Sequence, residues 1–288
     1  MKLALGTAQF GLNYGIASPQ PQVGFAESKA IVNYASGHGM TVLDTAMGYG
    51  DSEARLGEIG VSGWKVVSKL PEVPTRGDVK NWITDAVKSS LIKLKINSLY
   101  GLLLHRPDQL GGKIGPEIYE TLQRIRVSGL VEKVGVSIYQ PSELEDIFSV
   151  GEVDLVQSPL SVLDRRLITS GWLKRLADRG VEVHARSVFL QGLLLMSEVQ
   201  RPRKFDRWSS LWSRYHEWVR ASGRSPLDIC LSYVSSIPQV QQVVVGVNSL
   251  EHIEEIFQAQ IGFTPDLPLD IATRDEELLN PLAWLKTT

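Results

Sequence analysis

A single cysteine, Cys230, stands in 288 residues. That excludes an internal disulfide framework and a multi-cysteine zinc site. Its surroundings, Pro226-Leu-Asp-Ile-Cys-Leu-Ser-Tyr233, have the pattern of an amphipathic helix, so the thiol is expected to be buried and inert. Long apolar runs are missing too: none reaches the roughly 18 residues that a membrane span needs. The N-terminus runs directly into Lys2-Leu-Ala-Leu-Gly6 and lacks the pattern of a signal peptide. Nor is there an excess of either charge. Thirty Lys and Arg face 32 Asp and Glu, for a net charge of -2, which suits neither a nucleic acid nor an acidic membrane as partner. The basic run Arg201-Pro-Arg203-Lys204 is short and reads as a solvated loop. A cytoplasmic protein, monomeric or weakly homo-oligomeric, is the expectation.

What is present is an ordinary globular composition, 43% hydrophobic and 22% charged, arranged in a repeating order. Short apolar, β-branched stretches start near residues 3, 41, 64, 99, 131, 154, 181 and 240. Nearly all are separated by a segment of helical periodicity. One such helix follows Asp78 with an apolar face of Ile83, Val87, Leu91 and Leu94. Another runs from Ser52, read as its cap, to Ile59, and a third from Ile168 to Asp178 before Gly180. Strands this short and this apolar suit a parallel sheet covered on both faces. Eight strand–helix units predict an α/β fold closed as a (β/α)8 TIM barrel, since closure leaves no edge strand. A doubly wound sheet is the alternative, but no Gly-x-Gly-x-x-Gly follows the first strand. The chain is read as one barrel domain over residues 1–288, with an extra helical insertion at about 201–223 and a C-terminal extension at about 263–288.

Polar residues collect where these strands end. Asp44 ends the second, Lys69 the third and His105 the fourth. Ser137 ends the fifth, Gln157 the sixth, and Arg186 and Ser187 lie near the end of the seventh. Tyr49 sits in the loop after Asp44, flanked by Gly48 and Gly50. In a barrel all of these share one rim, the face that carries the active site. A buried Lys69 beside Asp44 is a satisfied ion pair. A cation beside Tyr49 is expected to favour the phenolate and lower its pKa from about 10. Tyr49 is then a competent general acid towards a carbonyl oxygen, to which His105 can donate a hydrogen bond. Each residue alone has a duller reading, as a rim salt bridge or a satisfied strand-end histidine. A metal centre is not expected, because no second histidine accompanies His105 and Asp44.

These residues carry a family resemblance. Gly6-Thr-Ala-Gln-Phe-Gly11, Leu43-Asp44-Thr-Ala-Met-Gly-Tyr49-Gly-Asp-Ser-Glu53, the strand ending in Lys69, Leu102-Leu-Leu-His105-Arg-Pro-Asp108, Gly135-Val-Ser137, Gln157-Ser-Pro and Val245-Gly-Val-Asn-Ser-Leu-Glu-His-Ile-Glu-Glu255 occur in the order seen in aldo-keto reductases. The chain resembles a bacterial-type member that lacks the hairpin plugging the barrel bottom, a place that Leu3 or tail residues such as Trp284 are expected to take. The resemblance implies an oxidoreductase that moves a hydride between NAD(P)H and an aldehyde, ketone or sugar-type carbonyl. Tyr49 would be the proton donor, Asp44 and Lys69 would tune it, and His105 would orient the carbonyl. It implies a dinucleotide bound by Gly6, Thr7, Ala8, Asp44, Ser137, Gln157, Arg186, Ser187, Gln191, Gly192, Gly246, Asn248, His252 and Glu255.

Some positions depart from the family pattern. Ile138 replaces a common Asn, and Arg186 replaces the tyrosine that often stacks on the nicotinamide. Gly246 and His252 stand where basic residues often meet the adenosine 2′-phosphate. NADP(H) is therefore favoured only slightly, with NAD(H) usable. Two other readings compete: a catalytically silent barrel that senses a dinucleotide or binds a partner, and a barrel enzyme using Lys69 as a Schiff-base amine. For the substrate pocket, Trp208 and Trp212 are candidates, although Trp208, Trp212, Tyr215 and Trp218 also have the spacing of a helix core.

Overall fold

Eight short, largely buried strands close on themselves in chain order. The computed structural model describes residues 2–15, 22–281 and 283–285. Its strands are β1 (Leu3–Gly6), β2 (Val42–Asp44), β3 (Lys65–Leu70), β4 (Leu99–Leu104), β5 (Val131–Ser137), β6 (Leu155–Pro159), β7 (Glu182–Arg186) and β8 (Gln242–Gly246). All pair in parallel, and β8 returns to β1 with Gly6 opposite Gly246, so the sheet is a closed barrel. The (β/α)8 reading of the sequence is what the structure has.

Between the strands run α2 (Phe25–Gly37), α3 (Ser52–Ile59), α4 (Val79–Leu94), α5 (Gly115–Val127), α6 (Glu143–Val150), α7 (Arg166–Thr169), α8 (Trp172–Asp178), α9 (Ser209–Ser222), α10 (Pro226–Ser236) and α11 (Leu250–Gln258), with a one-turn α1 (Ala8–Gly11) after β1. The helix α4 buries Ile83, Val87, Leu91 and Leu94 and is capped by Asp78, whose side chain accepts from the Asn81 N–H. The expected helix from Ile168 to Asp178 is two pieces, because Gly171 at φ 78 turns the chain between α7 and α8. Ser52 is not the cap of α3. Asp51 holds that place, and the Ser52 hydroxyl instead donates to Thr7 O at 3.1 Å. The seventh strand stops at Arg186, because Ser187 takes a positive φ of 58.

Inside the barrel, Ala4, Val42, Val67, Leu103 and Leu155 form one apolar layer. Below it, the Tyr100 hydroxyl donates to Glu182 Oε2 at 2.7 Å, from β4 to the non-adjacent β7. Lys133 pairs with the same carboxylate, and His184 Nε2 lies 2.6 Å from its other oxygen. This charged network lies among the N-terminal halves of the strands. Trp284 is not at that end. It packs edge-on against Phe205 at 5.1 Å, in the segment after β7, and its indole N–H donates to Glu277 O. Trp212 and Tyr215 are core residues, 2% and 0% exposed, and the Trp212 and Trp218 indoles donate to backbone carbonyls, as the helical spacing favoured. Cys230 is fully buried, and burial pushes its thiol up to about 12. Among the described residues no helix is long and apolar enough to cross a membrane.

Candidate active site

Side chains alternate along a strand with period two. Two residues beyond Val42, Val67, Leu103 and Leu155 of the apolar layer come Asp44, Lys69, His105 and Gln157. The same period that fills the barrel therefore sets these four polar groups directly above its dry floor. Lys69 Nζ donates to Asp44 Oδ2 at 2.7 Å and to Thr45 O at 2.9 Å. Gln157 Nε2 donates to the other oxygen, Asp44 Oδ1, at 2.6 Å. Ser137 Oγ lies 3.4 Å from Gln157 Oε1. Lys69 and Asp44 are 1% and 4% exposed, so each charge depends on the other for its solvation.

Tyr49 comes to this group from the loop after β2. Its ring lies 5.1 Å from Lys69 Nζ and meets the His105 ring edge-on at 6.0 Å between centroids. Two glycines hold the loop. A Cβ on Gly11 would sit 1.7 Å from Tyr49 O, and one on Gly50, at φ 53, would sit 2.3 Å from Gly11 O. The β1 and β2 loops thus touch backbone to backbone, which no larger residue allows. The hydroxyls of Thr7, Thr45 and Ser52 join beneath them, with Thr7 Oγ1 donating to Asp44 O at 3.0 Å. Thr7 is thereby committed to holding the ends of β1 and β2.

The electrostatics differ from the sequence reading in one respect. Burial, reinforced by the Asp44 carboxylate, raises the Tyr49 pKa well above that of a free phenol. Lys69 does not depress it, since its charge is already matched by Asp44. The phenol is fully protonated at neutral pH and holds a proton to give. Burial first, then Lys69 and Arg186, lower the His105 pKa from 6.5 to about 4. The imidazole is neutral near pH 7 and so can donate from one nitrogen and accept at the other. It follows that the pH profile of turnover should show no limb between pH 6 and 7. A limb there that vanishes in His105→Asn would contradict this assignment.

Around this centre stand groups that the sequence alone did not single out. Tyr139, two residues beyond Ser137, stacks under the Arg186 guanidinium at 4.5 Å. Tyr14, from the β1 loop, lies close to Gln191 of the β7 loop. Glu27, in the first turn of α2, accepts from the Leu250 N–H at 2.6 Å. Tyr14 and Tyr139 reach in from separate loops and Glu27 from a helix, and no local motif announces them.

The aldo/keto reductase family model matches residues 2–266. The chain belongs to the aldo/keto reductase family. Among solved structures, it resembles aldo-keto reductase AKR11C1 of Bacillus halodurans, in its holo form, with a TM-score of 0.72 and 19% identity over 94% of this chain and 90% of that one. PA4992 from Pseudomonas aeruginosa gives a TM-score of 0.66 at 20% identity, covering 90% of this chain and 88% of the other. Both likenesses are of fold. A curated relative, the uncharacterized oxidoreductase YtbE of Bacillus subtilis, is 28% identical over 166 residues, 55% of this chain and 57% of that protein. The chain thus spans little more than half the length of that relative.

The aldo/keto reductase family is one of oxidoreductases that generally use NAD(P)H. The donor set of the rim fits such a group. After β7, Ser187, Leu190, Gln191 and Gly192 all take positive φ, at 58, 48, 55 and 88. Three non-glycine residues in that region within five positions signal a functional constraint, and such turns expose backbone N–H groups to an anion. Ser249 caps α11 by accepting from the His252 N–H at 3.2 Å, which places a helix N-terminus at the end of β8. Gly6 and Gly246 face each other where β1 and β8 end. Asn248 is half-buried, its N–H turned to His252 Nδ1 at 3.4 Å, while His252 and Glu255 are exposed on α11.

Proposed function

We propose that this chain reduces a carbonyl compound with NAD(P)H, with Tyr49 as the general acid. What carries the reading is one constellation, a protonated Tyr49 against a neutral His105, above the buried Lys69–Asp44 pair. The bound dinucleotide supplies the hydride. Tyr49 gives its proton to the carbonyl oxygen as negative charge develops there, and His105 donates a hydrogen bond to the same oxygen. Lys69, its charge matched by Asp44 at 2.7 Å, packs beside the Tyr49 ring and keeps it in place. Gln157 and Asp44 hold Lys69 in place. Ser137 and the β7 loop would hold the dinucleotide. The first test is oxidation of NADPH and NADH, followed by absorbance, against a panel of aldehydes, ketones and sugar carbonyls. Saturable cofactor binding without turnover on any of them would favour a silent dinucleotide-binding barrel instead.

Selectivity between the two dinucleotides should be loose. The segment from Gly246 to His252 contains neither Arg nor Lys, and a 2′-phosphate is best held by these residues. Glu27 already takes the Leu250 N–H, setting a carboxylate at the N-terminus of α11. Both features remove the advantage that the family usually gives NADPH. Titration by nicotinamide fluorescence should therefore find the two dissociation constants within about 1000-fold, equivalent to roughly 4 kcal/mol. A larger preference for NADPH would show that a basic residue outside this loop reads the phosphate.

A further inference from the structure

Arg186 carries a charge that the reaction described above does not use. It points inward from the last residue of β7. One nitrogen, Nη2, donates to Ile138 O at 2.9 Å, and Nη1 donates to Ser187 Oγ at 3.1 Å. The Tyr139 ring supports the guanidinium from one side at 4.5 Å, fixing its plane. Both hydrogen-bond acceptors are neutral. Among the described residues no carboxylate lies within ion-pair distance of Arg186. Glu143 is the acid whose field meets it, but that carboxylate is turned to the Tyr139 and Gln140 N–H groups at 3.0 and 2.7 Å.

The guanidinium faces the reaction centre. Its charge helps to lower the pKa values of His105 and Lys69, and it opposes the rise at Tyr49 and Tyr14. Of these, Tyr49, His105 and Lys69 border the space in which a carbonyl would sit. Within that space Lys69 is matched by Asp44 at 2.7 Å, and His105 is neutral. Arg186 is left as the uncompensated charge, in a setting where a half-buried cation without a partner is costly. A guanidinium held on one face and two edges, with donors to spare, suits a planar or tetrahedral oxyanion better than a neutral group.

We propose that Arg186 binds an oxyanion carried by the substrate, so that this site prefers carbonyl compounds bearing a carboxylate or phosphate over neutral ones. The proposal rests on the reductase reading given above. It moves Arg186 from the cofactor, where the family resemblance puts it, to the substrate. Tyr139 and Ile138 O then act as positioning groups, Ile138 contributing through its backbone carbonyl.

Matched substrate pairs test this. Succinic semialdehyde against butanal probes a carboxylate, and glyceraldehyde 3-phosphate against glyceraldehyde probes a phosphate. In the wild-type protein kcat/KM should favour the anionic member of at least one pair by about 30-fold or more, and which pair does so tells carboxylate from phosphate. Arg186→Met should shrink that ratio at least about 10-fold. Arg186→Lys, which keeps the charge and loses the fork, should fall between the two. NADH and NADPH dissociation constants, from fluorescence titration of the same proteins, separate the alternatives. A ratio near one in both pairs, or a ratio unmoved by Arg186→Met, overturns the proposal. So does a variant that weakens dinucleotide binding and lowers both members of a pair alike, for Arg186 would then serve the cofactor. Absence of turnover on every probe, with dinucleotide still bound, would instead defeat the reductase reading and the proposal with it.

Discussion

Tyr49→Phe should lower carbonyl reduction by at least about 100-fold, within the 10²- to 10⁴-fold that a positioned general acid contributes. The substitution removes one oxygen and keeps the ring that Lys69 and His105 face at 5.1 and 6.0 Å. Dinucleotide binding and thermal stability should therefore persist, and the loss should fall on kcat. The pH profile adds a second check. Because burial and Asp44 raise the Tyr49 pKa, the acid form is present below that raised value. Reduction should stay level through neutral pH and decline only in strong alkali. Wild-type-like turnover of Tyr49→Phe on a good substrate would remove Tyr49 from the mechanism.

The second large effect is structural. Lys69→Met leaves the Asp44 carboxylate buried, with the Gln157 amide as its remaining side-chain donor. Breaking a buried ion pair by removing one partner typically costs about 3–5 kcal/mol, a large part of what an average domain has. Urea unfolding should show a loss of that order for Lys69→Met. The double variant Asp44→Leu with Lys69→Met should recover much of it, since no orphan charge remains, while activity stays lost in both. Equal destabilisation by the single and double variants would mean that packing around the Lys69 stem, rather than the stranded charge, is what matters.

The barrel was legible in the sequence because its signal is repeated. Eight apolar stretches separated by helical periodicity admit few arrangements, and parallel strands covered on both sides have to be apolar throughout. The clustering of polar groups on one rim was legible for the same reason. Once strand ends are located, Asp44, Lys69, His105, Ser137 and Gln157 fall on one rim by period two alone. Groups contributed from outside the strands were not. Tyr14, Tyr139 and Glu27 reach the rim through approaches set by tertiary packing, such as the Gly11–Gly50 backbone contact. The charge balance was misjudged for a related reason. Sequence shows that a lysine ends a neighbouring strand, but not that its charge is neutralised at 2.7 Å before it can act on Tyr49. Trp284 belongs with these. Its contact with Phe205 depends on how the tail crosses the molecule, which no local pattern encodes.

The central claim is that a hydride passes from nicotinamide to carbonyl carbon at the Tyr49–His105 rim. The most direct test is isotopic. With NADPH or NADH deuterated at one face of C4, the alcohol produced from an accepted carbonyl substrate is analysed by mass spectrometry and proton NMR. The account predicts deuterium at the carbinol carbon from one C4 epimer and not from the other, with the hydroxyl proton drawn from solvent. Product labelled at carbon by deuterated solvent, or formed without label from either epimer, would contradict it.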